Sequence, residues 1–207
     1  MDEVRFAWLE ITGRCQLRCS RCYADSGPDG SAGLMNPEDW MRVIDQISGM
    51  GGRMVQFIGG EPTTHPALST LIDHALEHDM GVEVFSNLVA VPNKMWEVLA
   101  RPGVRLATSY YSDDATEHDA ITGRHGSHTR TRANIVTAVH REIPLRVGVI
   151  DVLDGQRVEQ ALTELAMLEV TEVGLDRVRA VGRGTHTKPR STDGLAAVGC
   201  HRQDSAL

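Results

Sequence analysis

VRFAWLEITGRCQLRCSRCY, residues 4–23, sets an apolar stretch directly before three cysteines packed into eight positions, Cys15, Cys19 and Cys22. Residues 4–11 carry apolar side chains on both faces, the pattern of a strand buried on both sides in a parallel sheet. The cysteine segment reads as a loop that runs to about Met35, because Gly27, Pro28, Gly30 and Gly33 interrupt any regular structure.

Outward from this point the chain alternates strands and helices. Asn36-Pro37-Glu38-Asp39 predicts a helix start: a capping Asn, a proline in the first turn and acids facing the helix dipole. Trp40, Met41, Val43, Ile44 and Ile47 form its apolar side, and Gly49, Gly51 and Gly52 end it. Further strands are predicted at 54–58, 82–86, 104–110, 145–150 and 172–178, with helices at 67–79, 92–99, 128–141 and 157–168. The stretch between residues 110 and 128 reads as a polar loop. Six strand–helix repeats with short connections imply an α/β protein with parallel strands and right-handed crossovers. Such a sheet is either doubly wound or curled into a partial (β/α)6 TIM-like barrel. Both arrangements put the functional site at the carboxyl ends of the strands. The residues found there are the cysteine loop, Gly59-Gly60-Glu61-Pro62, Ser86-Asn87, Ser109 with Tyr110 and Tyr111, and Asp151.

Composition narrows the class. The 207 residues suit one domain, and 41% hydrophobic content argues against wholesale disorder. Twenty-eight acids against 21 Lys and Arg give a net charge of −7, which disfavours a dedicated nucleic-acid binder. No run of 18 apolar residues suggests a membrane span, and the acidic start MDEVRFAWLE lacks a signal-peptide pattern. The expected compartment is therefore the cytosol, where a disulfide framework is not expected.

Three clustered thiols then admit three readings. A structural zinc site wants four protein ligands, and the nearest histidine in sequence is His65. Unmetallated core thiols sit poorly with Arg14, Arg18, Ser20 and Arg21 in the same loop. An iron–sulfur cluster held by three cysteines keeps one iron open for a substrate or cofactor. Cys200 stands apart from all of these.

C-x3-C-x2-C after a first strand, with Gly-Gly-Glu-Pro after the second, resembles the radical S-adenosylmethionine (radical SAM) superfamily from about Phe6 to Gly184. The resemblance selects the partial barrel, with residues 1–184 as the catalytic unit and 185–207 as a polar tail. It implies that Cys15, Cys19 and Cys22 ligate three irons of a [4Fe–4S] cluster, with SAM on the fourth. Gly59, Gly60, Glu61 and Pro62 look like the segment that meets the SAM amino group. Asn87 and Ser109 match positions that contact the ribose or carboxylate, Arg130 resembles a carboxylate-pairing arginine, and Val149 and Ile150 would lie near the adenine. Tyr23 follows the third cysteine as in the peptide-modifying branch, while Arg21 replaces the aromatic or histidine common before it.

The chemistry implied is reductive cleavage of SAM to a 5′-deoxyadenosyl radical that abstracts hydrogen from a substrate. Similar enzymes of the SPASM and twitch type act on ribosomally made peptides or natural-product precursors, with flavodoxin or ferredoxin as electron donor. Those enzymes continue into a cysteine-rich domain with auxiliary clusters. Here only Cys200 follows, so the tail reads as a remnant or the start of such a domain. The other readings are a non-catalytic barrel that binds SAM or a partner peptide, and a structural zinc domain. All nine histidines are expected at the surface or in caps, and Trp40 and Trp96 in the core. Tyr110 and Tyr111 are candidates to line a substrate cavity.

Overall fold

A computed structural model describes residues 4–178 and 180–186. Six strands, β1 (Phe6–Thr12), β2 (Met54–Gly59), β3 (Gly81–Phe85), β4 (Val104–Tyr110), β5 (Leu145–Asp151) and β6 (Glu172–Arg177), form one sheet. The helices are α1 (Pro37–Gly49), α2 (Leu68–Glu77), α3 (Asn93–Leu99), α4 (Ala115–Thr122), α5 (Ser127–His140) and α6 (Val158–Met167). Short 3₁₀ turns occupy Pro62–Thr64 and Gly182–His186.

The strands lie side by side in chain order, every neighbouring pair parallel. A doubly wound sheet needs a reversal of strand order, and none occurs here. With right-handed crossovers throughout, sequential order stacks all helices on one face and curls the sheet. The fold is therefore the partial (β/α)6 barrel, with β1 and β6 as its two edges.

Period-two alternation separates the two faces of the sheet. Leu9, Ile11, Val55, Phe57, Val82, Val84, Leu106, Val147 and Val149 are buried against Ile44, Leu68, Leu71, Ile72, Leu99, Ile135 and Leu165 of the helices. The opposite face begins with a charged layer. Glu83, 4% exposed, pairs with Arg105 and Arg146 at 2.9 Å each, and also meets Gln56. Arg105 continues to Glu172 through contacts of 2.8 and 2.9 Å. Toward the carboxyl ends this face turns small: Ser109, Gly148 and Gly174 stand side by side on β4, β5 and β6. A Cβ on Gly174 would meet nothing within 4 Å. The barrel is thus plugged at the bottom by ion pairs and open above.

Helix α1 starts as its sequence predicts, with Asn36 accepting from Asp39 N at 2.8 Å and Asp39 accepting from Asn36 N at 2.9 Å. Helix α4 occupies the stretch read as a polar loop. Its buried residues are His118, Ile121 and Thr122, so it has no apolar stripe to announce it. Asp114 caps it, accepting from Glu117 N at 2.8 Å, and Gly123 ends it at φ 68°. The polar tail from residue 187 onward, with Cys200, lies outside the described residues. Among the described residues no helix is long and apolar enough to cross a membrane.

Candidate active site

The cysteine loop leaves β1 and is braced from three directions. From β2, Gly60 N donates to the Thr12 carbonyl and Glu61 N to the Arg14 carbonyl, both at 2.7 Å. The approach is so close that a Cβ on Gly60 would sit 2.1 Å from the Arg14 oxygen, and one on Gly59, at φ 136°, 2.3 Å from that of Thr12. From the end of α4, the Thr122 and Ile121 carbonyls accept from Arg18 N at 3.1 Å and Ser20 N at 2.9 Å. From the turn after β6, Arg183 N donates to the Cys22 carbonyl at 2.9 Å. The Arg183 side chain donates to the Cys19 and Ser26 carbonyls at 2.7 and 2.8 Å and pairs with Asp25 at 2.6 Å.

Glu61 is fully buried, and its carboxylate is a bracket between loops. Oε1 accepts from Thr63 N, Thr63 Oγ1 and Ser86 Oγ at 3.1, 2.7 and 2.8 Å, and Oε2 from Asn87 N at 2.7 Å. Burial pushes its pKa up, against the pull of these donors. The bracket aims Asn87 at the cysteines: Asn87 Nδ2 lies 3.5 Å from Cys15 Sγ, and Asn87 Oδ1 accepts from Gln16 Nε2 at 3.3 Å.

The three thiols are free and half-buried. Burial, Glu61 and Cys22 push the Cys15 thiol up to about 11. Burial, Cys15 and Cys22 push Cys19 up to about 12, with Arg183 opposing. Thiolates are costly in this setting unless a cation shares it, which is what a metal centre supplies. Three cysteines fall one short of the four protein ligands of a structural zinc site. They suit a cluster, in which each cysteine takes a different iron.

Comparison with known proteins matches this arrangement to a family. The sequence pattern of the Radical SAM superfamily covers residues 9–167, most of the chain. The chain belongs to the radical SAM superfamily. It is 27% identical over 143 residues to PqqA peptide cyclase of Rhodopseudomonas palustris, covering 69% of this chain and 38% of that protein. It is 30% identical over 182 residues to mycofactocin maturase MftC of Mycobacterium tuberculosis, covering 85% of this chain and 45% of that one. The chain thus spans less than half the length of these relatives. Among solved structures, Streptococcus suis SuiB bound to S-adenosylmethionine superposes with a TM-score of 0.78 at 18% identity, over 91% of this chain and 44% of that chain. SuiB bound to the precursor peptide SuiA gives 0.76 at 17% identity, over 86% and 40%.

Within this radical SAM barrel the remaining candidates fall in two groups. Gly59, Gly60, Glu61, Pro62, Asn87 and Ser109 gather at the strand ends around the cysteine loop. Ser109 is half-buried on the inner face and hydrogen-bonds Tyr111, whose hydroxyl is pushed far up by burial and feels the three cysteines. Ile150 is half-buried and alternates onto the same face as Gly148. Val149 does not: it is fully buried among the helix-facing residues, because adjacent strand residues point to opposite faces. Tyr23 is 43% exposed and hydrogen-bonds Glu10 on β1. Arg130 is exposed in the first turn of α5. That turn packs at the same rim, where Thr131 Oγ1 donates to the Asn87 carbonyl at 2.9 Å. Arg132 instead pairs with Glu164 at 2.6 Å.

Tyr110 and Tyr111 part company. Tyr110 is fully buried and points toward the helices, its hydroxyl 2.8 Å from His128 Nε2 and donating to Glu164 at 2.6 Å. His65 is buried at 7% exposure but caps the Pro62–Thr64 turn; His118 and His128, within α4 and α5 at 1% and 8% exposure, correct the expectation that every histidine is a surface or capping residue. Sequence reasoning missed Arg183 and the end of α4 as supports of the cysteine loop. The only local signal was an arginine between two glycines: Gly182, at φ 55°, comes so near the loop that a Cβ would lie 2.2 Å from the Tyr23 carbonyl oxygen.

Proposed function

We propose that Cys15, Cys19 and Cys22 hold a [4Fe–4S] cluster whose open iron takes S-adenosylmethionine, and that the barrel uses them to abstract hydrogen from a precursor peptide. The observation that carries this reading is the cysteine triad itself: three unpaired, half-buried thiols in one loop at the carboxyl ends of a parallel barrel. When bound, the cluster and SAM supply a carbon-centred radical, chemistry that belongs to the cofactor rather than to the protein.

The chain's own residues supply position and shelter. Gly59 and Gly60 let β2 close on the cysteine loop, and Glu61 fixes the backbone of Asn87, so we assign these three to positioning. Pro62, Ser109, Ile150 and, from the rim of α5, Arg130 form the wall against which SAM lies, with Tyr23 at the loop's outer side. The small row Ser109, Gly148 and Gly174 leaves room above the ion-paired floor for a substrate side chain. The peptide substrate rests on the likeness to PqqA peptide cyclase and MftC and to SuiB with its bound precursor peptide. The catalytic unit is taken as residues 1–184, and a flavodoxin or ferredoxin class protein as electron donor.

The test is anaerobic reconstitution with iron and sulfide, then SAM and a strong reductant. The reading expects 5′-deoxyadenosine from the native chain, none from Cys19→Ala, and loss of two hydrogens from a matched precursor peptide. A native protein that binds the cluster and SAM yet releases no 5′-deoxyadenosine would instead be a non-catalytic barrel.

A further inference from the structure

Among the described residues, metal-ligating side chains away from the cysteine loop converge between α1 and α2. His74 and His78, four residues apart, lie on one face at the end of α2, and Asp45 reaches them from α1. Asp45 Oδ1 is 2.7 Å from His74 Nε2 and 2.9 Å from His78 Nε2, so both imidazoles aim at one carboxylate oxygen. The rings stand 4.9 Å apart at 69°. Among the described residues this is the only trio of His, Cys, Asp or Glu whose ligand atoms all fall within 4.8 Å of one another. The neighbouring arginines are engaged elsewhere, Arg42 with Asp39 and Arg101 with Asp73.

We propose that Asp45, His74 and His78 form a binding site for a divalent late first-row metal ion, of which zinc is the representative. Metal–nitrogen and metal–oxygen bonds near 2.1 Å, spanning atoms at these separations, subtend roughly 85° at the ion. The three side chains supply part of the ion's shell, and the remaining positions open to solvent, since all three are partly exposed. Two imidazoles and one carboxylate suit zinc, cobalt or nickel better than magnesium or calcium, which want oxygen ligands. Each imidazole would bind through an unprotonated Nε2, with its proton on Nδ1. The site is separate from the cysteine loop. Helices run antiparallel to the strands they follow, so these C-terminal halves of α1 and α2 lie at the opposite end of the barrel. An ion there staples the two helices that pack behind β2, the strand carrying Gly59-Gly60-Glu61-Pro62.

The experiment is calorimetric titration of zinc chloride into anaerobically cluster-loaded protein, repeated on a Cys15→Ser, Cys19→Ser, Cys22→Ser, Cys200→Ser chain so that thiols cannot take the metal. The proposal expects a single zinc per chain in both preparations, and a raised unfolding temperature in its presence. A paired His74→Gln, His78→Gln variant should lose the binding, and Asp45→Asn alone should weaken it about tenfold or more. Asp45→Asn preserves shape and serves where the histidine variant does not fold. No zinc uptake, or equal uptake by native and substituted chains, overturns the proposal.

Discussion

The Arg183 guanidinium donates to the Cys19 carbonyl oxygen at 2.7 Å, joining positions 164 residues apart. One planar fork thereby ties the turn after the last strand to the loop after the first. β1 and β6 are the unpaired edges of the sheet, so this contact does for the rim what strand pairing does elsewhere.

Arg183 should therefore govern how firmly the loop keeps its metal. Groups that orient ligands without touching the metal typically change affinity 10- to 100-fold. Arg183→Ala should leave the reconstituted protein with less iron per chain and a cluster that bleaches several-fold faster in air. Arg183→Lys keeps the charge but not the fork and should recover only part of the loss. Iron retention equal to native in both variants contradicts this role.

Gly60→Ala separates close approach from conformational freedom. The new methyl would meet backbone, the Arg14 carbonyl, which no side-chain rotation can relieve. We expect a folded barrel whose cysteine loop is displaced, with iron incorporation well below half of native. Circular dichroism checks the first outcome and iron analysis the second.

Glu61→Gln replaces a carboxylate that accepts from four donors by an amide that brings donors of its own. At least one buried donor is left unpaired, at about 1–3 kcal/mol. The urea midpoint should fall accordingly. Because Asn87 N loses its anchor, SAM-dependent turnover should fall further than stability alone explains. A variant of native stability and turnover would remove Glu61 from the positioning role.

The barrel was readable because the helix-facing residues of each strand are apolar, and β4 falls where its sequence predicts; β1 is not buried on both sides as its apolar run suggested, since Phe6 and Trp8 are exposed on its other face. The cysteines and Gly59-Gly60-Glu61-Pro62 were readable because their spacing is short and local. Periodicity alone left the doubly wound alternative open; the family resemblance selected the barrel, and the strand order, which periodicity does not encode, bears it out. Helix α4 escaped because it buries His118 and Thr122 rather than an apolar stripe. Arg183 escaped for a related reason: nothing near it in sequence reveals a partner at the other edge of the sheet. Nothing near Glu83 in sequence reveals that Arg105 and Arg146, from two other strands, surround it.

His118 makes stability depend on pH. Burial, and then the neighbouring His128, push its imidazole down to about 4. The unfolded chain takes up this proton near pH 6.5, so native and unfolded states bind it alike above that value. As pH falls from about 6.5 toward 4, only the unfolded state gains the proton and stability is lost, by about 3 kcal/mol at about 1.36 kcal/mol per unit. Urea midpoints at pH 7 and pH 5 should differ for the native protein. The difference should shrink in His118→Gln, although that variant starts lower because packing is lost. An equal pH dependence in both would show that other groups dominate.

The most direct measurement of the central claim is electron paramagnetic resonance of the anaerobically reconstituted, reduced protein before and after SAM is added. A cluster held by Cys15, Cys19 and Cys22 alone predicts about four irons per chain, as expected for a cubane. It also predicts a reduced-cluster signal whose g-values move when SAM occupies the open iron, and no signal from Cys19→Ala. Stoichiometric zinc with no iron, or a cluster signal indifferent to SAM, would contradict the account.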